Sequence, residues 1–155
     1  MATSHIYPGA QALSAYITLK DCKKAIEFYK KAFDAKEKGI LLMPDGKVAH
    51  AEIEIEGCLL MMADENLEWG NKSVQTLGGS PVSIGLYVKD VDKAFKKAID
   101  AGAKELMKVE DMFYGDRSGS VEDPFGYKWM LATHKEDVSY PEMQKRSDAM
   151  FAQAK

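Results

Sequence analysis

A constant offset of 69 residues links two halves of this 155-residue chain. The offset relates four pairs of positions: Ser14 and Ser83, Lys20 and Lys89, Gly57 and Gly126, and Met61 and Met130. These pairs mark both the beginning and the end of each segment, so the segments share their length and order of features. Such repetition is typical of equivalent modules that are each too small to bury a sheet alone. We therefore predict modules at residues 12–66 and 80–134, joined by a linker at 67–79.

Hydrophobic periodicity predicts the same order of elements in both modules. Residues 13–20, "LSAYITLK", alternate as a strand does, and the following "CKKAIEFYKKAF" has its apolar residues at helical spacing. "HAEIEIE" alternates again, and "CLLMMA" is apolar on both faces. The second half repeats the plan from "VSIGLYVKD" through "DKAFKKAIDAGAKE" to "YKWMLA". The pattern predicts an α+β fold of two βαβββ modules.

Composition excludes several classes of protein. A formal net charge of -3 argues against nucleic acid as the main partner, because phosphate binding requires a basic surface. No apolar run reaches the ~18 residues of a membrane span, and the N-terminus lacks the pattern of a signal peptide. The two cysteines, Cys22 and Cys58, have no metal-ligand spacing and suit a reducing compartment. We expect a cytoplasmic globular protein.

The last residues lie outside the repeat. Pro141, Met143, Met150 and Phe151 suggest that residues 143–155 form a helical tail docked on the domain. Residues 12–142 would then form a single domain.

Several motifs carry a resemblance to a known family. They are the opening "KD…A…FYKKAF", the segments "MPDGKVAHAEI" and "LYVKDVD", and the closing "DPFGYKW". With the paired βαβββ modules, they resemble the vicinal oxygen chelate superfamily (glyoxalase, bleomycin resistance protein and dioxygenase), and in particular its PhnB-like branch. The resemblance covers residues 12 to about 142. It implies curved mixed sheets around a ligand-binding cup, with the helices on the outside.

Strand parity then assigns residues to the cup or to the helices. The helix side would hold the apolar residues at positions 15, 17, 19, 51, 53, 55, 82, 84, 86 and 88. The opposite parity would line the cup, including Tyr16, Glu54, Met61, Tyr87 and Met130.

Metal-dependent members of the family place their ligands on the first and last strands of each module. By this resemblance, the four positions fall on Ser14, Met61, Ser83 and Met130. Hydroxyls and thioethers are poor ligands for hard divalent ions. We therefore expect no divalent metal at these positions, and no other cofactor.

His50 and Glu52 are the candidate catalytic residues. They lie two residues apart on one strand, so both point into the cup and could form an acid–base pair or share a metal ion. The alternative is that His50 is a hydrogen-bonding residue at the rim and that the glutamates face solvent.

A second candidate region is the stretch "FYGDRSGSVEDPFG". Arg117 could present its guanidinium to an anionic ligand at the mouth of the cup, with Phe113 and Tyr114 as an aromatic wall. Alternatively, the stretch is only a hairpin in which Arg117 pairs with a local acid such as Glu122 or Asp116. Trp69 could close over a bound molecule from the linker, or simply cover the edge of the core.

Three classes of function fit these features. The first is metal-free binding of a small, partly aromatic or cationic molecule in the cup, because Glu52 and Glu54 would favour a basic ligand. The second is a lyase, isomerase or dioxygenase with a non-standard site around His50 and Glu52. The third is a fold retained mainly for dimerisation. A homodimer is expected in any case, because curved half-sheets leave open edges.

Overall fold

A computed structural model describes residues 4–153 of the chain, and its elements occur in the order expected from the repeat. Module one contains β1 (Ala15–Leu19), α1 (Cys22–Phe33), β2 (Lys36–Leu42), β3 (Val48–Ile55) and β4 (Cys58–Asp64). A short helix, α2 (Val74–Leu77), connects the modules. Module two contains β5 (Ser83–Tyr87), α3 (Val91–Asp100), β6 (Lys104–Asp111), β7 (Asp116–Glu122) and β8 (Lys128–His134). Helix α4 (Tyr140–Gln153) follows.

Each module folds into a four-stranded mixed sheet with the same strand order. The orders are β1-β4-β3-β2 and β5-β8-β7-β6. The parallel pairs place Tyr16 opposite Met61 and Gly85 opposite Met130, which preserves the 69-residue offset in the register itself. The prediction of two equivalent βαβββ modules in an α+β fold is confirmed.

Both main helices begin at the repeated Lys-Asp pair. The carboxylate of Asp21 accepts a hydrogen bond from the Lys24 amide at 3.0 Å, and Asp90 accepts one from the Lys93 amide at 3.1 Å. An aspartate in this position satisfies one of the free N–H groups at the start of a helix. The repeat in sequence is thus a repeat of helix caps.

The helix-facing sides of the two sheets share one core. Helices α1 and α3 pack on each other, and Tyr29 and Phe33 of α1 contact Trp129 of module two at ring-centroid distances of 5.4 and 4.6 Å. The alternation predicted this side well for Ile17, Leu19, Ala51, Ile53, Ile55 and Leu86, all of which are buried. Ala15 and Val82 differ and are exposed, because Ala15 is the first residue of β1 and Val82 immediately precedes β5.

Polar contacts lock the modules together at this core. The buried carboxylate of Asp123 accepts hydrogen bonds from the Tyr29 hydroxyl at 2.8 Å and from the Trp129 indole N–H at 2.9 Å. It also accepts the backbone N–H groups of Phe125 and Tyr127. The Tyr127 hydroxyl in turn bonds both backbone groups of Thr18, which lies on edge strand β1.

The linker and the C-terminal tail contain structural details that the sequence pattern did not predict. The linker contains helix α2, which Ser73 caps. Val74, the first residue of α2, is buried and packs against Gly126 in the β7–β8 turn. Helix α4 begins at Tyr140, before the predicted tail at 143–155, and its Arg146 donates to the backbone oxygen of Phe113. Met150 and Phe151 of this helix are exposed. The tail's last two residues, 154 and 155, lie outside the described residues.

Within residues 4–153, every helix is too short or too polar to cross a lipid bilayer.

The role of Asp123 gives a direct test of the shared core. Replacing Asp123 with Ala should lower the free energy of unfolding by about 3 kcal/mol, because it leaves four buried donors without an acceptor. Asp123→Asn should cost less, since its amide oxygen still accepts. Urea denaturation followed by fluorescence measures the change. Asp148→Ala on exposed α4 is the control and should change stability by less than about 0.5 kcal/mol. Equal effects at both positions would contradict the role given to Asp123.

Candidate functional site

The concave face of module one carries a continuous chain of three polar side chains. The Tyr16 hydroxyl lies 3.2 Å from Nδ1 of His50, and Nε2 of His50 lies 3.1 Å from Oε1 of Glu52. Parity explains the arrangement, because His50 and Glu52 alternate with buried residues of β3 while Tyr16 projects from β1 on the same side. The structure therefore brings together both candidate catalytic residues and one predicted ligand contact.

These side chains border two neighbouring cavities. The larger, about 520 Å³, is walled by His50, Glu52 and Met61 of the sheet and by the N-terminal segment 5–14. The smaller, about 180 Å³, lies beside Tyr16 and Trp69. Trp69 is two-thirds exposed at its rim, which agrees with a residue able to cover a ligand. The Tyr16–His50 contact lies between the two cavities.

The two glutamates of β3 have different environments. Glu54 is bound by Lys38 at 3.2 Å and Lys36 at 3.6 Å, and the hydrogen bond from Lys38 lowers the pKa of its carboxyl. Glu52 contacts only His50 among the side chains of the described residues, and its own side chain is only 17% exposed. A largely buried carboxylate with one partner can accept further donors. Glu52, rather than Glu54, is therefore the anionic group available to a ligand.

The concave face of module two carries a second polar group that sequence reasoning missed. The buried Asp116 accepts a hydrogen bond from the Tyr87 hydroxyl at 2.6 Å, and its other oxygen lies 2.7 Å from Nδ1 of His134. Nε2 of His134 lies 2.9 Å from Asp137. Both Asp116 and His134 have the parity of cup residues on their strands, and that signal was available in the sequence.

The contacts of His134 favour its imidazolium form. Both ring nitrogens lie within hydrogen-bonding distance of carboxylate oxygens, which accept hydrogen bonds when ionised. The bonds to Asp116 and then to Asp137 raise the pKa of His134 above its ordinary value of 6.5. The bond to Asp116 likewise raises the pKa of Tyr87.

Arg117 does not lie at the mouth of the cup, so that prediction is wrong. Its guanidinium forms a bidentate contact with Asp92 of α3 at 2.8 Å and also contacts Asp111 of β6 at 3.2 Å. The alternative, a hairpin in which Arg117 pairs with a local acid, agrees with the antiparallel β6–β7 pair, but the local acid is Asp111 rather than Glu122 or Asp116. Odd positions of β7 face α3, and Arg117 shares this side with the helix-packed Gly119. Its charge is neutralised there and is unavailable to a ligand in the cup.

The remaining predicted ligand contacts belong to module two. Phe113 and Tyr114 form an edge-to-face pair, with ring centroids 5.2 Å apart, in the turn before β7. Met130 lies on the concave face and is about half exposed. None of these three residues, nor Tyr87, lines the two cavities beside His50. The predicted contacts thus divide into two groups, one on each module.

Comparison with known proteins agrees with this architecture. Residues 11–131, most of the chain, match the glyoxalase/bleomycin resistance protein/dioxygenase superfamily. The chain belongs to this superfamily. An uncharacterised protein of Mycobacterium bovis is 44% identical over 136 residues, which is 86% of this chain and 90% of the relative.

Solved structures of the superfamily show the same fold. The X-ray structure of an Arabidopsis thaliana gene product is 31% identical, with a TM-score of 0.63 over 79% of this chain and 98% of that one. The PhnB protein of Bacillus cereus superimposes with a TM-score of 0.62 at 19% identity, covering 79% and 99% of the two chains. At that identity the likeness concerns the fold alone.

The residues at the superfamily's usual metal positions do not fit a divalent ion. Ser14 and Met61 line the larger cavity, but the Ser14 hydroxyl donates to the backbone carbonyl and side-chain oxygen of Gln11. Ser83 and Met130 occupy the matching positions of module two. Two hydroxyls and two thioethers provide no anionic ligand. Across residues 4–153, no three His, Cys, Asp or Glu side chains are placed to hold one metal ion.

The contacts of His134 predict its titration. The pKa of His134 is higher in the folded protein than in the unfolded chain. Protonated His134 therefore stabilises the fold fully below the unfolded-state pKa of about 6.5, and this stabilisation is lost as the pH rises through the folded-state pKa. Asp116→Asn should lower the pKa of His134 most, and Asp137→Asn should lower it less. NMR titration of the ring protons measures both shifts. Asp111 pairs with Arg117 and not with His134, so Asp111→Asn should leave the pKa of His134 unchanged. A His134 that titrates alike in all four proteins would contradict the proposed contacts.

Proposed function

We propose that the protein binds a small, partly aromatic or cationic molecule on the concave face of module one, without a divalent metal ion. The observation that carries the proposal is the chain of contacts from Tyr16 through His50 to Glu52, which opens onto the larger cavity. A cavity of about 520 Å³ is within the usual range for small-molecule sites.

The chemistry of the lining supports this class of ligand. In the larger cavity, Glu52 offers an available carboxylate and Met61 offers an adaptable apolar surface. In the neighbouring smaller cavity, Tyr16 and Trp69 offer aromatic faces. An ammonium or amidinium group beside Glu52 would be paired with a carboxylate that has lost much of its contact with water. Such a pairing favours a cationic ligand over a neutral one of the same shape.

Catalysis at the same site is the second candidate function. Nε2 of His50 and the carboxylate of Glu52 are within hydrogen-bonding distance, which is the geometry of a histidine oriented by an acid. An enzyme of this kind, a lyase, isomerase or dioxygenase of the superfamily, would use His50 to move a proton. Turnover of a bound ligand would distinguish this catalytic function from binding alone.

The test begins with metal analysis of the purified protein, followed by a thermal-shift screen of small aromatic amines and related cations. For any ligand found, His50→Ala and Glu52→Gln should each weaken binding at least about tenfold, since each removes a polar contact. His50→Ala should cost at most about 1 kcal/mol of stability, because the His50 side chain is 35% exposed and its removal leaves no packed cavity. Isothermal titration calorimetry measures both affinities.

The control is Glu110→Gln, which removes the same charge from edge strand β6 of module two. It should bind the ligand as the wild-type protein does. If His50→Ala also keeps wild-type affinity and turnover, the proposed site is wrong. A bound stoichiometric metal that is required for binding would overturn the metal-free proposal.

We further propose that the protein is a homodimer. Edge strand β2 is exposed along its whole length, and it carries the exposed apolar side chains of Ile40, Leu41 and Leu42. Burial of this apolar surface favours association. Light scattering at micromolar concentration should give twice the mass of one chain. A mass of 17.2 kDa would mean a monomer.

A further inference from the structure

A separate pocket of about 160 Å³ lies where the two modules meet. It opens between β1 and β5, each of which is one of the two edge strands of its own sheet. Both modules contribute residues to its walls. Its deeper part is formed by the buried side chains of Leu60, Leu86 and Trp129. Its rim includes the exposed Ala15 and Cys58. We refer to this cavity as the junction pocket.

The junction pocket is apolar and uncharged. None of its lining residues is Asp, Glu, Lys, Arg or His. The polar oxygens at its rim are already bonded, because Ser14 donates to Gln11 and the side-chain oxygen of Gln11 also accepts the Leu59 amide at 3.1 Å. Water inside such a pocket finds few hydrogen-bond partners, so an apolar ligand displaces it at little cost.

We propose that the junction pocket binds a small, uncharged aromatic molecule about the size of benzene to indole. Apolar cavities of about 150 Å³ in proteins bind benzene, and this pocket has nearly that volume. The pocket is too small for a helix, whose diameter with side chains is about 10 Å. A charged ring of the same shape would lose its hydration without gaining a partner, and is therefore excluded.

This site differs from the cavity beside His50. The two share only the segment Gln11–Ser14 as a wall, and neither His50 nor Glu52 reaches the junction pocket. Binding of a ligand in the junction pocket can therefore be tested separately from binding beside His50.

The chain carries two built-in reporters for toluene, the probe we would use. Trp129 lines the pocket and is 2% exposed, whereas the other tryptophan, Trp69, lies at a different cavity. Toluene should shift the indole N–H resonance of Trp129 and leave that of Trp69 in place. Cys58 is exposed and Cys22 is buried, so the reaction of the native protein with a thiol reagent reports on Cys58 at the rim. Toluene should slow that reaction.

Matched ligands and variants test the assignment. Benzoate and benzylamine have the same ring with a charge, and each should bind at least about tenfold more weakly than toluene. Ala15→Leu adds a side chain at an exposed rim position and should abolish the toluene-induced shift of Trp129. Ala149→Leu on exposed α4 and His50→Ala should both retain it. An unshifted Trp129 in the wild-type protein overturns the proposal. Equal binding of the three ligands, or an unchanged response in Ala15→Leu, does so as well.

Discussion

The shared core between the modules is the constraint on which the rest of the structure depends. One helix cannot cover a four-stranded sheet, so each module relies on the other to bury its helix-facing side. Asp123 fixes that arrangement, because its carboxylate joins a tyrosine of α1 to a tryptophan of module two. Tyr127 then secures the free edge of β1 through both backbone groups of Thr18. The relative position of the two sheets therefore depends on a few directed hydrogen bonds as well as on apolar packing.

Because the shared core occupies only the helix-facing side of each sheet, the concave faces can carry polar side chains. Burial against the helices occupies one side of each strand, so the other side can carry His50 and Glu52 without weakening the core. Each concave face holds a tyrosine, a histidine and a carboxylate, but the connections differ. In module one the histidine is the centre and joins Tyr16 to Glu52, whereas in module two the buried Asp116 is the centre and joins Tyr87 to His134. The module-one carboxylate keeps capacity for a ligand, while Asp116 is already bound on both oxygens. The two groups are not copies of each other, because the 69-residue offset matches Tyr16 with Gly85 and His50 with Gly119.

The sequence predicted the features that depend on local period and spacing. The offset of 69 residues and the alternation in β1 and β3 correctly gave the modules and the side of β3 on which His50 and Glu52 lie. Arg117 was misplaced because "DRSGSV" has no apolar alternation, and because its partner Asp92 lies 25 residues away in the sequence. His134 is the last residue of β8 and lies beyond the apolar run "YKWMLA" that predicts this strand, so the run alone does not mark it as a residue of the cup. Long-range ion pairs of this kind follow from the packing of α3 on the sheet, which no local pattern encodes.

The central claim is that a ligand binds to the concave face of module one at His50 and Glu52. Backbone amide chemical shifts, recorded while small aromatic amines are added, test it most directly. We expect the perturbed amides to cluster on β1, β3 and β4, around Tyr16, His50 and Met61. Perturbations confined to α1 and α3, or spread without a cluster at His50, would contradict it.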